Sequence, residues 1–307
     1  MDHNSRLQTV TVIIPTYNRA GMLAKVLPSY LQFPLMQEVL VIDDGSTDDT
    51  SEIVREFASS DSRIRLIQQP RNLGRILARN TGIEQATGEL LLMSEDDLAL
   101  APGSLDVLLA HMRASNADII AGRRIWMRIG ETEEAALARA NGRRWSVVNR
   151  RLLEHHSHAI VETDVPAPLV DATMLVRREV LEKVRYADCY PGNAWREESD
   201  FQLTALENGY KIVFCPHTLF FHYDRSMAGR GRNRFKADLV YLYWMYRNNL
   251  TFLRRHQGYL SQHIPESLIL NNPHITNLIY IVYRAALLAQ TEIRRAWLTH
   301  KHRDPSS

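Results

Sequence analysis

The sequence predicts an α/β fold with a mostly parallel sheet flanked by helices and a helical C-terminal extension. Three observations carry that prediction. Within the first hundred residues, four short apolar runs are separated by stretches with helical apolar spacing, the alternation expected of a parallel sheet with helices on its faces. The first of these runs, "VTVII", is apolar or β-branched throughout, as a strand buried on both faces is. Three of them stop directly at a polar cluster, where open parallel sheets bind ligands.

The elements follow in order. Residues 10–14, "VTVII", form a buried strand closed by Pro15, and a helix is predicted from Met22 to about Gln32. A second strand spans 38–42. It leads into a polar turn with Gly45, and Ser46 or Thr47 is the expected N-cap of an amphipathic helix. "IRLIQQ" is a third strand, "GRILARNTGIEQA" a helix, and "GELLLMSEDD" a fourth strand ending in Glu95, Asp96 and Asp97. Three consecutive carboxylates often mark only a solvated turn or the first turn of a helix. Here they share the strand-end position with Pro15 to Arg19 and with Asp43 to Ser46, so the three clusters should line one cleft.

Beyond Asp97 the pattern is less regular. "PGSLDVLLAHMRAS" reads as a helix, "ADIIAGRRIWM" as a strand, and residues 130–158 as polar and helical. "VETDVPAPLVDATMLVRREVLEKV" looks like a strand leading into a helix, and "WREESDFQLTALENGYKIVFCP" like a helix beginning in acid followed by a strand after Gly209. From about Phe235 to Leu298 the chain reads as helical, with interruptions around Pro265 and Pro273.

Composition narrows the class. The 307 residues are 45% hydrophobic and 23% charged with a net charge of +2, which suits a soluble enzyme-sized chain and gives no electrostatic reason to expect nucleic acid. Basic residues concentrate late, in "RSMAGRGRNRFK" and "TEIRRAWLTHKHR". Cys189 and Cys215 are too few for a disulfide framework, suit a reducing cytosol, and are expected to be plain buried residues. No signal peptide is expected, and the late apolar run "LIYIVYRAALLAQ" is too short and interrupted by Arg284 to span a membrane.

"VTVIIPTYNR", "VLVIDDGSTDDT", "NLGRILARNTGI", "GELLLMSEDD" and "REESDFQLTALENGYKIVF" occur in that order, and with them the chain resembles the family 2 glycosyltransferases of the GT-A, Rossmann-like fold over roughly residues 8 to 250. The resemblance implies a catalytic domain over 1–234, with a nucleotide-sugar half at about 8–100 and an acceptor and catalytic-base half at 101–234, and a helical region at 235–307. It implies inverting transfer from a nucleoside-diphosphate-sugar to a hydroxyl of a glycan, lipid-linked or small-molecule acceptor, as in polysaccharide biosynthesis, in the cytoplasm.

The same resemblance assigns residues. Expelling a nucleoside diphosphate favours a divalent cation on hard oxygen ligands, Mn2+ or Mg2+. The family uses Asp-x-Asp for it. Glu95 and Asp97 are the favoured equivalents, Asp96 stays open, and an alternative register pairs Ser94 with Asp96. His222 resembles the late histidine that completes such a site. Pro15, Thr16, Tyr17 and Arg19 resemble the first nucleotide-binding loop, Asp44 the residue that contacts base or ribose, and Arg79 a basic group near the nucleotide. Arg79 could equally be an ion pair fixing its helix. "WREESDF" aligns Glu198 with the family's catalytic Asp, with Asp200 second and Glu197 third.

Two segments are read from their own composition. His155, His156 and His158 fit exposed or acceptor-facing surface better than a metal site. Arg225 to Lys236 is expected to be a mobile basic lid over a diphosphate. The C-terminal helices are candidates for packing on the catalytic domain, for a homo-oligomer, or for peripheral contact with an anionic membrane. The competing class is a non-catalytic nucleotide- or glycan-binding protein that retains the fold, because Glu replaces Asp at both the metal motif and the base. A nucleotidyltransferase would open with a glycine-rich basic loop, of which "PTYNRAG" is a poor version.

Overall fold

The computed structural model describes residues 9–141, 146–223 and 234–301, with side chains for all of these except 234–237 and 291–301. The chain divides into two compact units, Met1–Asn149 with Leu153–Asp188 and Glu197–Arg230, and Arg150–Leu152 with Cys189–Arg196 and Gly231–Ser307.

The first unit opens with β1 (Val10–Thr16), α1 (Ala20–Leu31), β2 (Met36–Asp43), α2 (Thr50–Ser60), β3 (Ile64–Gln68), α3 (Arg75–Gln85) and β4 (Leu90–Met93). β1 pairs in parallel with both β2 and β4, and β2 with β3. β1, β2 and β4 are almost wholly buried and rich in valine, isoleucine and leucine, whereas the edge strand β3 carries Arg65 and Gln68; Val10, Val12 and Ile14 pack with Leu23, Val26 and Leu27 of α1. Each side chain so buried is worth roughly 1.5–3 kcal/mol. α3 lies against the sheet at Gly82, where an added Cβ would come within 2.4 Å of Ile13. Only glycine permits that approach.

The rest of the unit continues with β5 (Leu98–Leu100), α4 (Ser104–Ser115), β6 (Ile119–Trp126), α5 (Glu133–Ala140), β7 (Val148–Asn149), β8 (Glu154–His155), β9 (Val165–Pro166), β10 (Met174–Arg177), α6 (Arg178–Lys183), α7 (Glu197–Glu207) and β11 (Ile212–His222). The sheet has nine strands in the order β3-β2-β1-β4-β10-β6-β11-β5, with β9 on β11. β10 runs antiparallel to both β4 and β6, so the sheet is parallel at one side and mixed at the other.

Four local expectations are corrected. Among the described residues of 130–158 only α5 is helical, and Val148–Asn149 pairs antiparallel with Glu154–His155, a hairpin too short to carry an alternating pattern. Ser46 and Thr47 do not cap α2, which begins at Thr50. Their backbone N–H groups go instead to Asp43 Oδ1 and Asn18 Oδ1. β5 was not anticipated, because three residues give no period to read. Cys215 is buried as expected, but Cys189 is exposed.

The second unit holds α8 (Arg234–Arg255), α9 (Gln257–His263), 3₁₀ turns at Pro265–Ser267 and Ile269–Asn271, and α10 (Pro273–Lys301). α10 starts at Pro273, where the missing N–H costs nothing. Within this unit α8 and α10 are joined by a buried hydrogen bond of 2.8 Å from Asn249 Nδ2 to Asn277 Oδ1. The Arg196 guanidinium donates to Asn249 Oδ1 at 2.7 Å and stacks on Phe252 and Tyr280. No described helix is long and apolar enough to cross a membrane.

Candidate active site

A cleft of about 270 Å³ lies where the chain leaves β1, β2 and β4, lined by Pro15, Thr16, Tyr17, Arg19, Asp44, Arg79, Glu95 and Asp96 among others. All three predicted polar clusters therefore contribute to one site. Tyr17 is 42% exposed and offers an aromatic face there. Asp44 accepts the backbone N–H groups of Leu73 and Gly74 at 2.7 and 2.8 Å, which fixes the loop before α3 as one wall. Burial raises its pKa. Gly45 follows at φ 74°, and an added Cβ would stand 2.5 Å from the Arg71 backbone, so the crossing of these two loops requires glycine. Asp43 is structural, accepting from Ser46 and Ser51 and ionised more readily than usual because these bonds outweigh its burial.

The strand-end acids point in different directions. Ser94 turns inward, its hydroxyl 2.7 Å from that of Tyr30. Asp96 faces the cleft and accepts the Thr16 hydroxyl at 3.0 Å. Asp97, expected at the open end of the strand, is 0% exposed. Its Oδ1 lies 3.2 Å from His222 Nε2 and its Oδ2 4.0 Å from Arg19. The contact with His222 follows from register, since β5 starts one residue after Asp97 and pairs antiparallel with β11, setting Leu98 opposite His222. Glu95 comes within 3.9 Å of the same imidazole. One ligand atom each from Glu95, Asp97 and His222 lies within 4.8 Å of the others, and two carboxylates with one imidazole make a donor set that can hold a divalent cation.

Sequence reasoning missed what lies behind Glu95. Arg124 of β6 is buried and bonds Glu95 Oε2 and Asp171 Oδ1, both at 2.6 Å, and Thr173 Oγ1 at 2.9 Å. His155 Nε2 stands 3.5 Å from the other oxygen of Asp171. Burial alone would lower the Arg124 pKa, but Asp171 and Glu95 outweigh it and hold the cation charged. The available signal was an arginine inside an apolar strand, "IIAGRRIW", because a buried guanidinium needs anionic partners. Of the neighbouring histidines, His156 Nδ1 meets the Ser146 carbonyl at 2.7 Å, and burial lowers the pKa of His158.

α7 supplies the second acidic centre. Glu197 Oε1 is held by Arg79 at 2.6 Å and Arg75 at 2.7 Å, and is fully buried. Glu198 shares Arg79 at 2.9 Å, but its side chain keeps 21% exposure. Burial and the neighbouring Glu198 charge push Glu197 up to about 8. Burial pushes Glu198 upward too, yet Arg79 and Arg75 outweigh it and hold Glu198 below the usual range. The two neighbouring carboxylates are thus pushed in opposite directions, Glu197 up and Glu198 down. Arg79 is 2% exposed, stacks over Tyr186 and touches both acids, so its contacts are those of an ion pair at the cleft wall. Asp200 is buried at 1%. The predicted basic lid, Arg225 to Lys236, lies outside the described residues apart from the backbone of the first residues of α8.

This strand-end cleft, on a sheet that turns mixed beyond β4, is that of a GT-A glycosyltransferase fold. The family model for Glycosyl transferase family 2 matches residues 11–185, and the chain belongs to that family. Among curated relatives, glycosyltransferase GlyG of Streptococcus pneumoniae serotype 4 is 23% identical over 222 residues, 71% of this chain and 72% of GlyG. Glycosyltransferase AglE of Haloferax volcanii is 34% identical over 121 residues, 38% of this chain and 40% of AglE. Of solved structures, the mannosyltransferase PcManGT from Pyrobaculum calidifontis, in complex with GDP-Man and Mn2+, matches with a TM-score of 0.57 at 18% identity, covering 96% of this chain and 84% of that one.

Proposed function

We propose that the chain is an inverting, metal-dependent glycosyltransferase that moves a sugar from a nucleoside-diphosphate-sugar to an acceptor hydroxyl. The observation that carries this reading is the division of labour around one cleft: Glu95 lines it with Asp97 and His222 behind, and Arg79, also in its wall, holds Glu198. Tyr17 and Asp44 would take the nucleoside, by stacking and by accepting an N–H or hydroxyl. Glu95, Asp97 and His222 would hold Mn2+ or Mg2+, which supplies charge neutralisation at the departing diphosphate.

Glu198 is the base. Its ionised carboxylate takes the acceptor hydroxyl proton as the new bond to the anomeric carbon forms. The bond to the phosphate oxygen breaks in the same step, and its electron pair leaves with the nucleoside diphosphate. Arg79 and Arg75 favour the ionised form of Glu198, while burial and the Glu198 charge push Glu197 towards its protonated form. The acceptor is a glycan, lipid-linked or small-molecule hydroxyl.

Release of nucleoside diphosphate from a panel of nucleotide-sugars, with and without Mn2+, tests the reading. Metal-stimulated release from at least one donor is expected. Donor binding without release from any of them, even with acceptor mixtures, would favour a binding module that retains the fold.

A further inference from the structure

β11 carries an irregularity that the cleft does not need. Phe214 pairs with Ala121 of β6, and the next recorded partners are Leu219 and Arg123, so five steps on one strand answer two on the other. Cys215 to Thr218 therefore leave the ladder as a bulge, helped by Pro216, which has no N–H to donate. His217 within it is exposed although its neighbours Pro216 and Thr218 are buried.

Two other elements meet this bulge. β9 pairs antiparallel with β11 through Phe214 and Val165, so the preceding residue, Asp164, falls opposite Cys215. From α4 comes His111, whose Nδ1 is 2.8 Å from Asp164 Oδ2 and whose ring centroid is 4.9 Å from that of His217, with 31° between the planes. A plain His–Asp ion pair accounts for one carboxylate oxygen. It leaves Asp164 Oδ1 buried with no N–H or hydroxyl donor among the described residues, only the weakly donating Cys215 thiol interacting with the carboxylate, and leaves unexplained why a second imidazole is turned to the first.

We infer that His111, Asp164 and His217 form a second cation site, separate from Glu95, Asp97 and His222 and suited to Zn2+. One ligand atom from each of the three lies within 4.8 Å of the others. Two imidazoles and one carboxylate form a three-ligand zinc set, with bonds of about 2.0–2.2 Å and a fourth position open to water. Bonds of that length need ligand atoms roughly 3.4 Å apart, and rotation of the exposed His217 side chain supplies the closure. The ion would tie α4, the approach to β9 and the β11 bulge together, a structural role that involves no residue of the cleft.

Metal-stripped full-length protein titrated with Co2+ and then Zn2+ tests this, read by visible ligand-field absorption, by metal stoichiometry and by Tm. Wild type and Asp97→Asn should both take up one equivalent of Co2+ with intense tetrahedral bands that Zn2+ displaces, and Zn2+ should raise their Tm. His217→Ala, a change at an exposed position, should lose that equivalent and the Tm rise while donor turnover stays at the wild-type level. Asp164→Asn should do the same. Unchanged stoichiometry in His217→Ala, or loss of the equivalent in Asp97→Asn, would overturn the inference. So would wild type that binds no Zn2+.

Discussion

The two acidic centres at the cleft are built in opposite ways. Glu95 and Asp97 sit between strands, and their geometry is set by backbone register: Leu98 opposite His222, with Arg124 arriving from β6. Glu197 and Glu198 begin a helix, and their geometry is set by two arginines from α3. The first arrangement gathers negative charge around one imidazole and one buried guanidinium. The second pushes neighbouring carboxylates in opposite directions, Glu197 towards the neutral form and Glu198 towards the ionised one. Identical residues one position apart are pushed in opposite directions, because burial and the neighbouring charge prevail at Glu197 while Arg79 and Arg75 outweigh burial at Glu198.

The sharpest way to break the comparison is at the strand-end centre. Asp97→Asn keeps the shape of a buried side chain and should abolish metal-stimulated release of nucleoside diphosphate. Wild-type metal dependence in that variant would move the ion to Asp96, the acid that faces the cleft. Arg124→Met should destabilise the fold by about 3–5 kcal/mol, the usual cost of stranding buried charges, here Glu95 and Asp171, without their cation. Denaturant unfolding measures it, and a cost within 1 kcal/mol would mean that these acids are solvated rather than locked.

The helix centre should respond more mildly at its sealed member. Glu197→Gln imitates the protonated acid, so turnover near neutral pH should change by less than about tenfold. Its signature is pH dependence. Folding raises Glu197 from 4.5 to about 8, so its stabilising contribution is fully present below 4.5 and is lost as pH rises through 8. The slope of stability against pH across that window should be shallower in the glutamine variant, and equal slopes would place the proton elsewhere. Glu198 shifts the other way. The acid limb of turnover should therefore lie below the usual glutamate range.

Much of this was legible in the sequence where structure is local. The first four parallel strands appear as apolar runs, and the residues just after them meet in one cleft because a parallel sheet puts all such ends on one edge. What was not legible depends on pairing between distant segments. "LAL" has no period of its own and becomes β5 only because β11 needs an antiparallel edge partner. The burial of Asp97 follows from that pairing. Arg124 is visible as an oddity in its strand, but its partners lie 29 residues before it and 47 after it. Within α7, "EE" shows two adjacent acids, of which the resemblance points to Glu198, the more open one, while the contrast between them depends on burial and on Arg79, about 120 residues upstream.

The division of labour is tested most directly by measuring donor affinity and single-turnover rate separately in Glu198→Gln. The side chain keeps its shape and loses its basicity, so the rate should fall by roughly 100-fold or more while the Kd for donor with Mn2+ stays within about threefold of wild type. A wild-type rate in Glu198→Gln, with Asp200→Asn inactive, would contradict the account and move the base two residues along α7.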